Sequence, residues 1–145
     1  MVITAFADLC VADVPASTAF YRDLLGLDVL VDLGWYVELG GDGRAMLALV
    51  QAEHDTVPRQ AGCPARGVLV SFDVHEIDEY VARIRDHGCP VIVDLTEELG
   101  QRHVMVLDPD GTVVDVIERV PMTSADRRRL ARYRRQHLAR THADR

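Results

Sequence analysis

Lysine is missing altogether from these 145 residues, so every basic side chain of fixed charge is an arginine. Nowhere do eighteen apolar residues run together, which excludes a recognisable spanning helix, and no membrane partner is expected. The opening Met1-Val2-Ile3-Thr4-Ala5-Phe6 has no basic stretch ahead of an apolar run, so a secretory leader is not expected. Cysteine is sparse and odd in number (Cys10, Cys63, Cys89), without the paired spacing of a zinc site. These thiols read as reduced, with Cys10 and Cys89 as small buried hydrophobes, and a cytoplasmic location is expected. Aromatic side chains are few, and Trp35 is the single tryptophan. A Gly-rich phosphate loop, a Cys-x-x-Cys and a triad-like Ser, His and Asp spacing are all lacking, so none of those chemistries has a footing.

The chain is long enough for one compact domain with a real core, and its 48% apolar and 27% charged residues suit a soluble globular protein. Its charge is unevenly placed. Residues 121–145 hold eight of the sixteen arginines and two aspartates, a surplus of +6 that leaves −13 on residues 1–120. Within that tail Thr123-Ser124-Ala125-Asp126 offers capping chemistry, and Leu130, Tyr133 and His137 fall at helical spacing. A helical tail over 121–145, packed on its own acidic body or on a second subunit, is expected; nucleic acid is not the expected partner.

The body says roughly the same thing twice. Leu9-Cys10-Val11-Ala12-Asp13-Val14 and a helical stretch to Gly26 are echoed by Phe72-Asp73-Val74-His75-Glu76-Ile77 and a helical stretch to Gly88, offset by 63 and 62 residues. Two copies suggest two βαβββ modules facing each other rather than a solenoid. Module 1 spans about 3–50, a polar linker 51–66, and module 2 about 67–119, all within one domain over 1–120. In module 1, residues 4–11 read as a strand, Asp13 as the N-cap of a helix ended by Gly26, 27–31 and 35–39 as a hairpin, and 44–50 as a strand. In module 2 the strands are 68–74, 91–93, 102–107 and 112–117, with a helix over 77–87; 51–66 and 94–101 are loops. Asp108-Pro109-Asp110-Gly111 is a turn. The expected fold class is α+β: two modules forming a cleft between curved mixed sheets, plus a C-terminal helix.

The stretch Val11-Ala12-Asp13-Val14-Pro15-Ala16-Ser17-Thr18-Ala19-Phe20-Tyr21-Arg22-Asp23-Leu24-Leu25-Gly26 resembles the V-x-D-x-x-x-S-x-x-F-Y-x-x-x-L-G signature of vicinal oxygen chelate proteins. That superfamily includes glyoxalase I, bleomycin-resistance proteins and extradiol dioxygenases. Gly100-Gln101-Arg102-His103 followed by Asp108-Pro109-Asp110-Gly111 resembles its closing segment. The resemblance runs from about residue 3 to 119 and implies a twofold dimer. It also implies metal-ligand positions at Phe6, Leu69, Leu47 or Ala48, and Asp115. Only Asp115 among these has a donor atom, so no metal and no cofactor are expected.

What remains is a cleft lined by apolar and aromatic groups, which suits a hydrophobic or aromatic small molecule held by one or two polar contacts. The candidate ligand-binding residues are Phe6, Asp8, Trp35, Leu69, His103 and Asp115; no catalytic residue is assigned. Phe6 either stacks on the ligand or plugs the cleft. Trp35 is a platform or a packing residue. Asp115 either finds a buried partner or is a solvated strand acid, and His103 is a ligand contact or a histidine bonded to its neighbours. His54 and His75 read as solvated, and His87 as a helix-end residue. The leading expectation is a metal-free binding protein of the glyoxalase and bleomycin-resistance type, holding a hydrophobic or aromatic drug or natural product in the cleft between the modules. The alternative is a lyase, isomerase or dioxygenase using a non-standard divalent-metal or acid–base site at Asp115, His103 and Asp8.

Overall fold

The computed structural model describes residues 1–143; the His137 side chain, third in the tail stripe, lies outside the described residues. Each half of the chain builds a four-stranded mixed, unclosed sheet. The first is β1 (Ala7–Val11), β2 (Asp28–Asp32), β3 (Tyr36–Gly41) and β4 (Arg44–Gln51), in the order β1-β4-β3-β2. The second is β5 (Leu69–Asp73), β6 (Val91–Glu98), β7 (Gln101–Leu107) and β8 (Val113–Arg119), in the equivalent order β5-β8-β7-β6. In both, the first strand runs parallel to the last and the other pairs are antiparallel. Helices α1 (Val14–Leu25) and α2 (Ile77–His87) follow the first strand of each sheet, and α3 (Ser124–Ala143) follows the second module. Among the described residues no helix is long and apolar enough to cross a membrane.

Local chemistry explains the boundaries. The Asp13 carboxylate accepts from the Ala16 amide at 2.9 Å, satisfying one of the orphan donors of α1, and Pro15 sits in the first turn where it loses no bond. Gly26 closes α1 at φ 70°, a left-handed conformation that glycine adopts without strain. Two strands differ from the expectation. β1 begins at Ala7 rather than residue 4, because its ladder on β4 starts with Ala7 opposite Leu47 and leaves Val2 and Ile3 in solvent. β6 reaches Glu98, using the polar stretch that reads as loop; it pairs with β7 through two irregularities of register.

The core lies on the helix side of both sheets and draws on both modules. Leu9, Val11, Leu39, Leu47 and Leu49 of the first pack with Ile77, Ile84, Val104, Val106 and Val116 of the second. The modules are also tied by polar contacts. The hydroxyl of Tyr21, which has no solvent exposure, donates to Asp108 Oδ2 at 2.8 Å. Burial and the neighbouring Asp108 charge push the Tyr21 phenol far up. Asp108 Oδ1 accepts from the amides of Asp110 (3.0 Å) and Thr112 (2.8 Å), and the Asp110 carboxylate accepts from the Ala12 amide at 3.2 Å. The Asp108–Gly111 turn is thus a clasp on the β1–α1 junction.

Since strand residues alternate, a core on one face fixes what the other presents. With Leu9 and Val11 inside, Asp8 and Cys10 point to the opposite face. With Val104, Val114 and Val116 inside, His103, Asp115 and Ile117 do the same.

Candidate functional site

The candidate residues fall into two groups. Asp8 and Trp35 line one cavity of about 350 Å³ together with Cys10, Tyr36, Val50 and Val57. Strands β1, β3 and β4 form its floor. Its outer wall is the linker, which contributes Thr56, Val57, Pro58 and Ala61. Hydrogen bonds hold the linker in place: the Ala52 amide donates to Val11 O (2.9 Å), the Ala65 amide to Cys10 O (3.0 Å) and the Gln51 amide to Trp35 O (2.7 Å).

Trp35 sits in the turn just before β3 rather than on the strand. Its ring stacks on His54, centroids 4.0 Å apart and planes 4° apart, and lies 5.8 Å from Tyr36. His54, which reads as solvated in the sequence, is therefore a half-buried buttress. Its Nδ1 accepts from the Thr56 hydroxyl (2.9 Å) and amide (3.3 Å), which fixes the imidazole plane. In the sequence the indole and the imidazole lie nineteen residues apart, with both β3 and β4 between them. Nothing in periodicity could have shown that they stack.

Asp8 lines the polar end of the cavity, and Glu38 lies close to it outside the lining. Asp8 and Glu38 both pair in register with Ala48, so a methyl side chain is all that separates them on that face. Partial burial and the Glu38 charge raise the Asp8 carboxyl above its ordinary range. The Tyr36 hydroxyl donates to Glu38 Oε1 at 2.9 Å; burial first, then this bond and the Asp8 charge, push the phenol to about 12. Burial also raises the Cys10 thiol, helped by Cys63 and Asp8, so it is an unreactive part of the floor. Asp8 is the polar group with no side-chain partner among the described residues, and the one left for a ligand.

The second group lies on module 2. His103 and Asp115 are both buried, and His103 Nδ1 donates to Asp115 Oδ1 at 3.2 Å, while its Nε2 lies 4.0 Å from Glu98. Asp115 thus finds its partner in His103. Arg102 points the other way and bridges Asp78 of α2 (2.8 Å) to Glu118 of β8 (3.0 Å). Leu69, at 50% exposure, opens to solvent on β5 opposite Val113, and Phe6 precedes β1 at 38% exposure. His75 and His87 are exposed, and His87 Nδ1 lies 2.9 Å from Arg83 O at the end of α2.

The model of the Glyoxalase/Bleomycin resistance protein/Dioxygenase superfamily matches residues 3–116. The chain belongs to this superfamily. Similar solved structures include a protein of unknown function from Agrobacterium tumefaciens str. C58, 28% identical with a TM-score of 0.66, covering 83% of this chain and 96% of that one. A lactoylglutathione lyase from the same species is 27% identical, with a TM-score of 0.64 and 81% and 94% coverage. TioX from Micromonospora sp. ML1 shares the fold at 19% identity, with a TM-score of 0.66 and 83% and 99% coverage. No curated relative matches the chain.

Some superfamily members use a divalent ion, and the residues at the corresponding positions here do not fit one. Phe6 and Leu69 have no donor atom, Leu47 is sealed in the core, Ala48 is a methyl, and the Asp115 carboxylate is engaged by His103. Among the described residues no three His, Cys, Asp or Glu side chains are placed to share an ion, Asp8, His103 and Asp115 included.

Proposed function

We infer that this protein captures a planar, largely apolar small molecule in the module 1 cavity, without metal and without breaking a bond in it. The observation that carries this reading is the buttressed Trp35 ring beside Tyr36, Val50 and Val57, with the unpartnered Asp8 at the edge of the same cavity. A cavity of about 350 Å³ lies at the small end of ligand sites, enough for a ring system of modest size. Aromatic contact with Trp35 supplies about 0.5–1.5 kcal/mol beyond the area buried. The raised Asp8 carboxyl serves an orienting contact in either state: protonated it donates a hydrogen bond, ionised it accepts one from an amine. The chain works as a homodimer in a reducing compartment, in keeping with its reduced thiols and its superfamily.

Titration with planar aromatic compounds, followed by Trp35 emission and by melting temperature, tests this. Saturable quenching with a rise in Tm is expected, and Trp35→Ala weakens binding roughly 2- to 10-fold. A panel that moves neither signal overturns the reading, as does one tightly held metal ion per chain on elemental analysis of untagged protein.

The buried His103–Asp115 pair favours a second reading, acid–base chemistry on module 2. It requires turnover that Asp115→Asn abolishes in a chain that still folds.

A further inference from the structure

Helix α3 lies beyond the superfamily match, which ends at residue 116, and only its root is docked. The Thr123 amide and hydroxyl donate to Asp126 Oδ2 (3.0 and 2.7 Å) and the Asp126 amide donates back to Thr123 Oγ1 (3.1 Å), a reciprocal cap. Asp126 Oδ1 accepts from the Leu99 amide, and Arg129 pairs with Glu98 at 2.9 Å. Gly100, at φ 80°, lets the chain pass so closely that a Cβ there would meet Met122 Cγ at 2.7 Å. Asp126, Arg129 and Leu130 (i, i+3, i+4) thus make up the docked face, and the exposed Tyr133 ring one turn on packs against Arg129. Arg128, Arg132 and Arg135 (i, i+4, i+7), with Arg127 and Arg134 beside them, occupy the outward one. All five are exposed, and none pairs with an acid among the described residues.

We propose that this arginine face docks on strand β6 of a second copy of the chain. Three observations select that occupant. Residues 1–120 carry a formal −13, which repels a polyanion approaching the arm but attracts the arm of another copy. β6 is an edge strand that exposes Val91 (44%), Ile92 (48%) and Leu95 (37%) alongside the exposed acids Asp94 and Glu97, neither of which has a cationic partner among the described residues. Arginine suits such a strip, because its aliphatic stem covers apolar surface while the guanidinium reaches the carboxylates. Finally, Arg129 and Glu98 fix the root of α3 at the end of β6. A twofold axis near that end lays each α3 on the other copy's β6, so each contact is made twice and both exposed edges are covered.

The test is sedimentation of the full chain at micromolar concentration, with Arg132→Glu/Arg135→Glu and Asp94→Arg/Glu97→Arg made separately and together. The native chain runs at the mass of two copies in low salt and shifts toward one copy at about 1 M salt, where the screening length falls to about 3 Å. Each double variant runs as one copy, and the combined charge-swapped chain returns to two. Circular dichroism and Tm of every variant confirm folding, and an unfolded variant is replaced by Arg→Gln or by Asp→Asn and Glu→Gln neutralisation at the same positions. Two results overturn the proposal: an arm variant that remains two copies, or a combined chain that stays at one. Binding of labelled duplex DNA that the arm variant loses while its mass is unchanged assigns the arm to nucleic acid instead.

Discussion

Replacing Tyr21 by phenylalanine removes one oxygen from a position with no solvent exposure and leaves the ring packing intact. Asp108 keeps its two amide donors on Oδ1, but Oδ2 loses the one donor the described residues give it, in a site too enclosed for easy rehydration. A hydrogen bond to a charged group contributes about 1.5–3 kcal/mol net, so about 2 kcal/mol of destabilisation is expected. That is a sizeable share of the roughly 5–15 kcal/mol by which domains are stable, and at about 2–4 °C per kcal/mol it lowers Tm by about 4–8 °C. Urea unfolding of native, Tyr21→Phe, Asp108→Asn and the double variant gives the coupling between the two groups directly. The slope with urea is unchanged, because the same surface is exposed. A loss below about 0.5 kcal/mol with no coupling would refute the claim that this bond joins the two modules.

Three further outcomes follow from the geometry. His54→Ala frees the Trp35 ring: its emission anisotropy drops, access to a collisional quencher rises, and ligand affinity weakens roughly 2- to 10-fold, while His54→Phe restores the first two. Asp8→Asn raises Tm near neutral pH. The raised carboxyl makes the folded chain bind more protons than the unfolded one between the ordinary and the shifted pKa, so native stability falls as pH rises through that window, and the gain from asparagine vanishes in acid below it. Arg102→Gln lowers Tm at neutral pH by releasing α2 from β7. Since Arg102 holds the Asp78 carboxyl below its usual range, the deficit fades as pH falls and Asp78 protonates.

Much of this architecture is legible in the residues. Asp13, Pro15 and Gly26 mark α1 by capping chemistry that acts within a few residues, and the repeat at Gly88 marks α2 in the same way. The sequence also shows which side of β1 and β8 turns from the core, because alternation is a local property. The limits are equally physical. β6 runs on through Asp94, Thr96 and Glu97 because β7 supplies its ladder, which no propensity records. The side-by-side reading of six ligand residues does not show that Asp8 and Trp35 share a cavity while His103 and Asp115 pair elsewhere. That depends on the path of the linker. His54 was missed for the same reason: its role exists only once residues 51–57 fold back over Trp35.

The cavity has two walls under different constraints. Its floor belongs to strands whose register also sets the core, so a change at Val50 or Ala48 is paid for in folding. The facing wall, from Thr56 to Ala61, is a loop whose main chain is anchored at Ala52 and Ala65 and whose His54 side chain is stacked on Trp35. Main-chain anchors do not depend on side-chain identity, so Val57, Pro58 and Ala61 can vary while His54 and Thr56 keep the Trp35 ring in place. A duplicated descendant of this gene would therefore change what it recognises through those few positions first, keeping the frame while exploring new ligands.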